Sequence, residues 1–173
     1  MIMPRGQEQL LLPVSGWFLW GSLLTALVLN MLPVGPVAWL PDWVALFLAF
    51  WAMHQPQKVG LGVAMIFGLL VDVQQATLLG QHALVYCCLV LAVLLLRRRL
   101  VWYSLVSQAT QLLPLFALAH VFLMLMQLLG DATFPGYTLI LAPLLEAVVW
   151  PIISILLLAP QRRTPERDVT RPL

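Results

Sequence analysis

Continuous apolar runs of about 17 to 25 residues recur along this chain, separated only by short polar or proline-bearing breaks, and a run of that length matches a hydrocarbon core of about 30 Å. This repetition constrains the fold more than any other feature. Of 173 residues, 62% are hydrophobic and 9% are charged, whereas a water-soluble domain needs roughly a quarter charged residues to cover its surface. The runs are uninterrupted rather than alternating, so the backbone must satisfy its hydrogen bonds within helices and a barrel is excluded. The expected class is all-α: a polytopic bundle of about six transmembrane helices.

The expected spans are 15–32, 37–53, 59–73, 80–96, a fifth within 104–129, and 137–159. The first stops at Pro33-Val34-Gly35-Pro36, which cannot hold helical hydrogen bonding. It is longer than the apolar core of a signal peptide and reads as a retained anchor. Pro41 lies near the start of the second span, where a missing N–H costs least, and that span ends at His54-Gln55-Pro56-Gln57-Lys58, with His54 in the following loop. The third is short and glycine-rich, and Gln74 to Leu79 form a polar break after it. The fourth is expected to end at Arg97-Arg98-Arg99. The fifth opens on the polar shoulder Ser104, Ser107, Gln108 and Gln111 and carries Pro114, a kink position. The loop 130–136 precedes the last span, and the Arg- and Pro-rich tail lacks the apolar content to fold alone. The division is therefore an N-terminal segment 1–14, a transmembrane domain 15–159 and a flexible basic tail 160–173.

Six spans with the N-terminus inside put all nine basic residues on the inner side: Arg5, Lys58, Arg97, Arg98, Arg99, Arg162, Arg163, Arg167 and Arg171. The outer loops then hold none, as the Lys/Arg bias of short loops requires. Five spans would break this segregation. Both termini are thus expected in the cytoplasm. Basic residues beside apolar runs are explained by topology, and nucleic-acid binding has no support. Trp17, Trp39, Trp43 and Trp102 fall near the expected interfaces, where amphipathic rings anchor helices.

Three acids fall in or near apolar spans, where an ionised carboxylate costs about 2.5–3.5 kcal/mol at a helix centre: Asp42, Asp72 and Glu146. All three belong to the outer half, which has no Lys or Arg. An internal ion pair therefore requires His82 or His120 to take a proton, the other states being protonated acids or carboxylates bonded to N–H groups, Gln or water. Asp42 is placed to cap its helix. Asp72 lies near the outer surface, where it can be wetted or can meet His82 across the hairpin. Glu146, between Pro143 and Pro151, is assigned to packing or partner contact. Gly60, Ala64, Gly68 and Asp72 recur every fourth residue and leave a groove for another helix, either within this protein or from a partner. No pair of histidines has metal-ligand spacing and adjacent Cys87 and Cys88 complete no set, so neither metal nor cofactor is expected. No phosphate loop, dinucleotide fingerprint or nucleophile elbow occurs.

The stretch Leu40-Pro41-Asp42-Trp43, then Trp51, Pro56 and Phe67-Gly68-Leu69-Leu70-Val71-Asp72, followed by Leu78-Leu79-Gly80-Gln81-His82-Ala83-Leu84, resembles the bacterial rod shape-determining family MreD, as does the pair Trp150-Pro151. Val73 to Thr77 replaces a glycine-containing turn of that family. The resemblance implies a non-enzymatic, multi-pass scaffold subunit of the cell-elongation (rod) complex in the bacterial cytoplasmic (inner) membrane, supporting lateral peptidoglycan synthesis. It would associate with the transmembrane helix of MreC, and through the complex with the RodA glycosyltransferase, a class B penicillin-binding transpeptidase and the filament protein MreB. It also implies a helical arrangement similar to the substrate-binding subunits of energy-coupling-factor transporters. Packing or partner-contact candidates are Pro41, Asp42, Gly60, Ala64, Gly68, Asp72, Gly80, Glu146, Trp150 and Pro151. The alternative is a small transporter or solute-binding subunit using Asp72, Glu146 and His120 around an outward-facing polar cavity.

Overall fold

A computed structural model of the chain describes residues 15–32, 40–129 and 138–161. Among the described residues there are six α-helices, a terminal 3-10 turn and no strand: α1 (Gly16–Asn30), α2 (Trp43–His54), α3 (Leu61–Gln75), α4 (Gln81–Leu100), α5 (Leu105–Leu129) and α6 (Thr138–Leu158), followed by the turn Ala159–Gln161. Pro33 to Trp39, residues 130–137 with the expected loop 130–136, the segment 1–14 and the tail from Arg162 onward lie outside the described residues.

Helix α2 is the centre of the molecule. Every residue from Val44 to Met53 is buried, enclosed by α1, α4 and α6. A helix buried on all sides has no polar face to display, hence an apolar sequence with no amphipathic period. Helix α3 lies along α4 and touches α1, while α5 packs on α4 and α6. Trp51, Trp150, Tyr86, Phe50 and Phe116 are the largest fully enclosed side chains. Trp150 brings its ring to 6.2 Å from both Phe50 and Phe116, tying α6 to α2 and α5.

Several boundaries differ from those read in the sequence. Helix α2 starts at Trp43, because the Asp42 carboxylate accepts the Ala45 N–H at 3.1 Å and caps the first turn; Pro41 therefore lies just before the cap. His54 is the last residue of α2, not a loop residue. It stacks on Phe50 at 4.2 Å, and its Nδ1 lies 2.9 Å from the Phe50 carbonyl oxygen. Helix α4 runs through the three arginines to Leu100. Arginine is a good helix former, so the end of an apolar run need not end the backbone helix. Arg97 Nε donates to the Met53 carbonyl at 2.6 Å, closing the C-terminal end of α2. Two helical segments, Leu105–Leu128 and Ile140–Gln161, are long and apolar enough to cross a membrane by length and composition alone. Helices α1, α2 and α3 have 15, 12 and 15 residues.

Candidate functional site

The start of α2 needs acceptors for its free N–H groups, and three different helices or their caps supply them. Trp43 N–H donates to Asn30 Oδ1 at 3.0 Å, Ala45 N–H to Asp42 Oδ1 at 3.1 Å, and Asp42 N–H to Glu146 Oε1 at 2.9 Å. Asn30 ends α1 and also donates its Nδ2 to Asp42 Oδ1 at 3.0 Å. Tyr86, one turn beyond His82 on α4, donates its hydroxyl to Asp42 Oδ2 at 2.5 Å. The Asp42 carboxylate thus receives donors from α1, α2 and α4, while its own N–H is held by α6. Glu146 is wholly buried. His120 of α5 places Nε2 3.5 Å from Glu146 Oε1 and Nδ1 3.0 Å from the Phe116 carbonyl oxygen. Glu146 Oε2 meets no donor among the described residues.

Asp72 forms the second half of the cluster and is 1% exposed, so it is enclosed rather than wetted. Its Oδ2 accepts the Gly80 N–H at 2.8 Å. Its Oδ1 accepts the His82 N–H at 2.8 Å and the Thr77 hydroxyl at 3.2 Å, and His82 Nδ1 also lies 2.8 Å away. One carboxylate therefore organises the whole α3–α4 turn. Gly80 caps α4 with φ of +97°, a value that favours glycine, while Ala76 closes α3 at φ of +51°. The His82 ring meets Tyr86 edge-on at 5.9 Å, and Gln74 Nε2 donates to the Asn30 carbonyl at 3.0 Å. Through these contacts both halves form one buried polar network to which all six helices contribute.

The α3 stripe is used inside the bundle. Ala64, Gly68 and Asp72 are buried, and a Cβ at Gly68 would overlap the Ala83 backbone and lie 2.8 Å from the His82 carbonyl carbon. Only glycine lets α3 approach α4 this closely. Gly60 is looser: it caps α3 without a side-chain bond, and a Cβ there would meet the Pro56 carbonyl at 3.9 Å. Pro41 is half-buried beside Asp42. Trp150 is enclosed and donates Nε1 to Gln108 Oε1 at 3.4 Å; Gln108 in turn donates to the Leu100 and Tyr103 carbonyls, each at 3.1 Å. Pro151 follows it, half-buried within α6.

The structure brings together Asp42 and Glu146, and separately Asp72, Gly80 and His82. It does not join Asp72 to Glu146 and His120 around one site, because both Asp72 oxygens are taken by the α3–α4 turn. Asn30, Gln74 and Tyr86 were not singled out in the sequence. Their signal was available: Asn30 is polar at the end of an apolar run, and Tyr86 follows His82 by four residues, hence on the same helical face. No group of three or more His, Cys, Asp or Glu among the described residues is arranged to hold a metal ion.

The sequence pattern of the rod shape-determining protein MreD matches residues 13–159, which includes α1 to α6 and every residue named in the polar network. The chain belongs to the MreD family. MreD is a family of membrane proteins, which is the setting in which an apolar exterior around a buried polar network is stable. The rod shape-determining protein MreD of Haemophilus influenzae (strain ATCC 51907 / DSM 11121 / KW20 / Rd) is 27% identical over 130 residues, covering 72% of this chain and 77% of that relative. No solved structure matches the chain significantly. Family membership supports a part in determining rod shape, and the network lies within the shared region.

Proposed function

We propose that this MreD-family chain is a non-enzymatic scaffold subunit of the bacterial cell-elongation complex, a rigid helical platform on which partner transmembrane helices assemble. It crosses the inner membrane six times with both termini in the cytoplasm, residues 15–159 forming the embedded domain between the segment 1–14 and the basic tail 160–173. The partner in direct contact is the transmembrane helix of MreC; RodA, a class B penicillin-binding transpeptidase and MreB complete the complex, which supports lateral peptidoglycan synthesis. The arrangement is akin to the substrate-binding subunits of energy-coupling-factor transporters, with the interior given to bracing.

One observation carries this reading. Of the six carboxylate oxygens of Asp42, Asp72 and Glu146, the groups that would react in an enzyme or transporter, all but Glu146 Oε2 accept bonds from backbone N–H groups or neighbouring side chains, where they fix helix positions. Interhelical hydrogen bonds in a membrane contribute about 0.6 kcal/mol each on average, so several together hold one arrangement of six helices without any turnover. Platform rigidity is what a scaffold requires.

Depletion in a rod-shaped host tests the proposal: cells should round up, and MreC should co-purify with the tagged chain from detergent extracts. A nutrient requirement in cells of normal shape would instead establish the solute-binding alternative. Topology is tested separately by reporter fusions, because a fusion at Asp131 reporting a cytoplasmic position would refute six spans with the N-terminus inside.

A further inference from the structure

A groove of about 200 Å³ runs between α4 and α5, walled by Val85, Cys88, Leu89 and Ala92 on one side and by Leu115, Leu118, Ala119 and Phe122 on the other. Its surface is almost wholly apolar. The α4 wall follows the spacing 85, 88, 89, 92, and the same helical stripe continues through Leu96 to Arg99, seven residues beyond Ala92. At 1.5 Å per residue, Arg99 stands about 10 Å along the helix from the last groove residue. Arg97 and Arg98 differ in position: Arg97 is committed to the Met53 carbonyl, and Arg98 projects about 100° around the helix from its neighbours. Shortly beyond Arg99, Trp102 is 88% exposed and Tyr103 is 47% exposed, and the hydroxyls of Ser104, just before α5, and Ser107, in its first turn, lie 3.1 Å apart.

We propose that this groove holds one acyl chain of an anionic phospholipid whose phosphate is paired with Arg99. Three features select this occupant. A partner helix, about 10 Å across, does not enter a slot of this volume between two helices already in contact, whereas a single methylene chain does. The cation lies on the groove's own stripe, so one molecule can satisfy both. The aromatic and hydroxyl rim at the α4–α5 connection suits the headgroup layer, where Trp and Tyr are enriched and basic residues attract anionic lipid. The occupied site would also cover apolar wall atoms that α4 and α5 leave without protein neighbours.

The test uses the full chain reconstituted in phosphatidylcholine nanodiscs containing phosphatidylglycerol, then released into mild detergent for native mass spectrometry. One phosphatidylglycerol per chain should be retained in preference to phosphatidylcholine. Arg99→Gln should lower that occupancy about fivefold, the effect of one basic residue near the surface, while Arg98→Gln leaves it within about twofold. Ala119→Trp and Cys88→Phe fill the groove from opposite walls and should each abolish retention, with circular dichroism confirming native helicity. Equal retention of the two lipids, equal loss from Arg98→Gln and Arg99→Gln, or full retention in a folded groove-filling variant would each overturn the proposal. Loss of a co-purifying protein, with lipid retention unchanged, would also overturn it and assign the groove to a protein partner.

Discussion

Replacing Gly68 with alanine adds a single methyl group to α3, yet the structure leaves no place for it. The new Cβ would coincide with the Ala83 backbone and come within 2.8 Å of the His82 carbonyl carbon. These are backbone atoms of a regular helix, so no side-chain rotamer can yield; α3 and α4 must separate. Overpacking typically costs about 1–3 kcal/mol, and here relief by separation also lengthens the bonds from Gly80 and His82 to Asp72, one turn along the same face. The expected loss is therefore about 3 kcal/mol, or roughly 6–12 °C in apparent melting temperature for a chain of this size. Gly62 supplies the control. It lies on the same helix with nothing within 4 Å of a Cβ, so Gly62→Ala gains helix propensity of up to about 1 kcal/mol. Thermal melting of both purified variants, followed by circular dichroism in one detergent, separates close packing from any general effect of adding a methyl group to α3. If Gly68→Ala melts at or above the parent temperature, the close α3–α4 approach is wrong, and with it the geometry assigned to Asp72. Gly68→Leu is expected to be worse on the same scale and to reduce recovery of MreC with the chain.

Asp72→Asn keeps an acceptor for the His82 N–H but turns an amide donor toward the Gly80 N–H, so it should cost about 1–3 kcal/mol; Asp72→Leu loses every acceptor and should be less stable still, and equal melting losses would show that charge, not hydrogen bonding, is what Asp72 contributes. Tyr86→Phe removes the donor to Asp42 Oδ2 and should lower stability by about 1–3 kcal/mol, measured against Tyr103→Phe, whose ring is partly exposed; equal effects would deny Tyr86 a special place in the network. Ala76→Gly relieves a left-handed conformation costing an alanine roughly 1–2 kcal/mol, partly offset by the freer unfolded chain, so the variant should melt slightly higher, and a lower melting point would contradict the αL assignment.

The helices were legible because each needs a continuous apolar run, and such runs survive almost any tertiary arrangement. The capping role of Asp42 was readable for a local reason: a carboxylate just before an apolar run has N–H groups within reach whatever else surrounds it. The reach of His82 to Asp72 was readable because a short turn joins their helices. By contrast, Glu146 lies 104 residues from the N–H group it receives, and no local pattern encodes that separation. Asn30 has in the sequence only the look of a polar end to an apolar run, although its amide serves both Trp43 and Asp42. The arginine cluster marks where the apolar run stops, but backbone hydrogen bonding follows a different rule and carries α4 to Leu100.

The location of the polar network follows from the length of α2. Twelve residues rise about 18 Å, short of a hydrocarbon core of about 30 Å, and α2 is walled in by α1, α4 and α6. Its ends therefore lie where water supplies little, and an unpaired N–H or C=O there costs about as much as a lost hydrogen bond. The chain answers with side chains from neighbouring helices: Asn30, Asp42 and Glu146 at the N-terminal end, and Arg97 at the Met53 carbonyl. On this account Asp42 and Glu146 are needed because the central helix is short, and their positions are set by its first turn, whereas Asp72 serves the α3–α4 turn. A shorter central helix also ties its neighbours together at both ends, so movement of α1, α4 or α6 must break bonds to α2. This gives the bundle a fixed set of outer faces, the property a platform for partner helices needs.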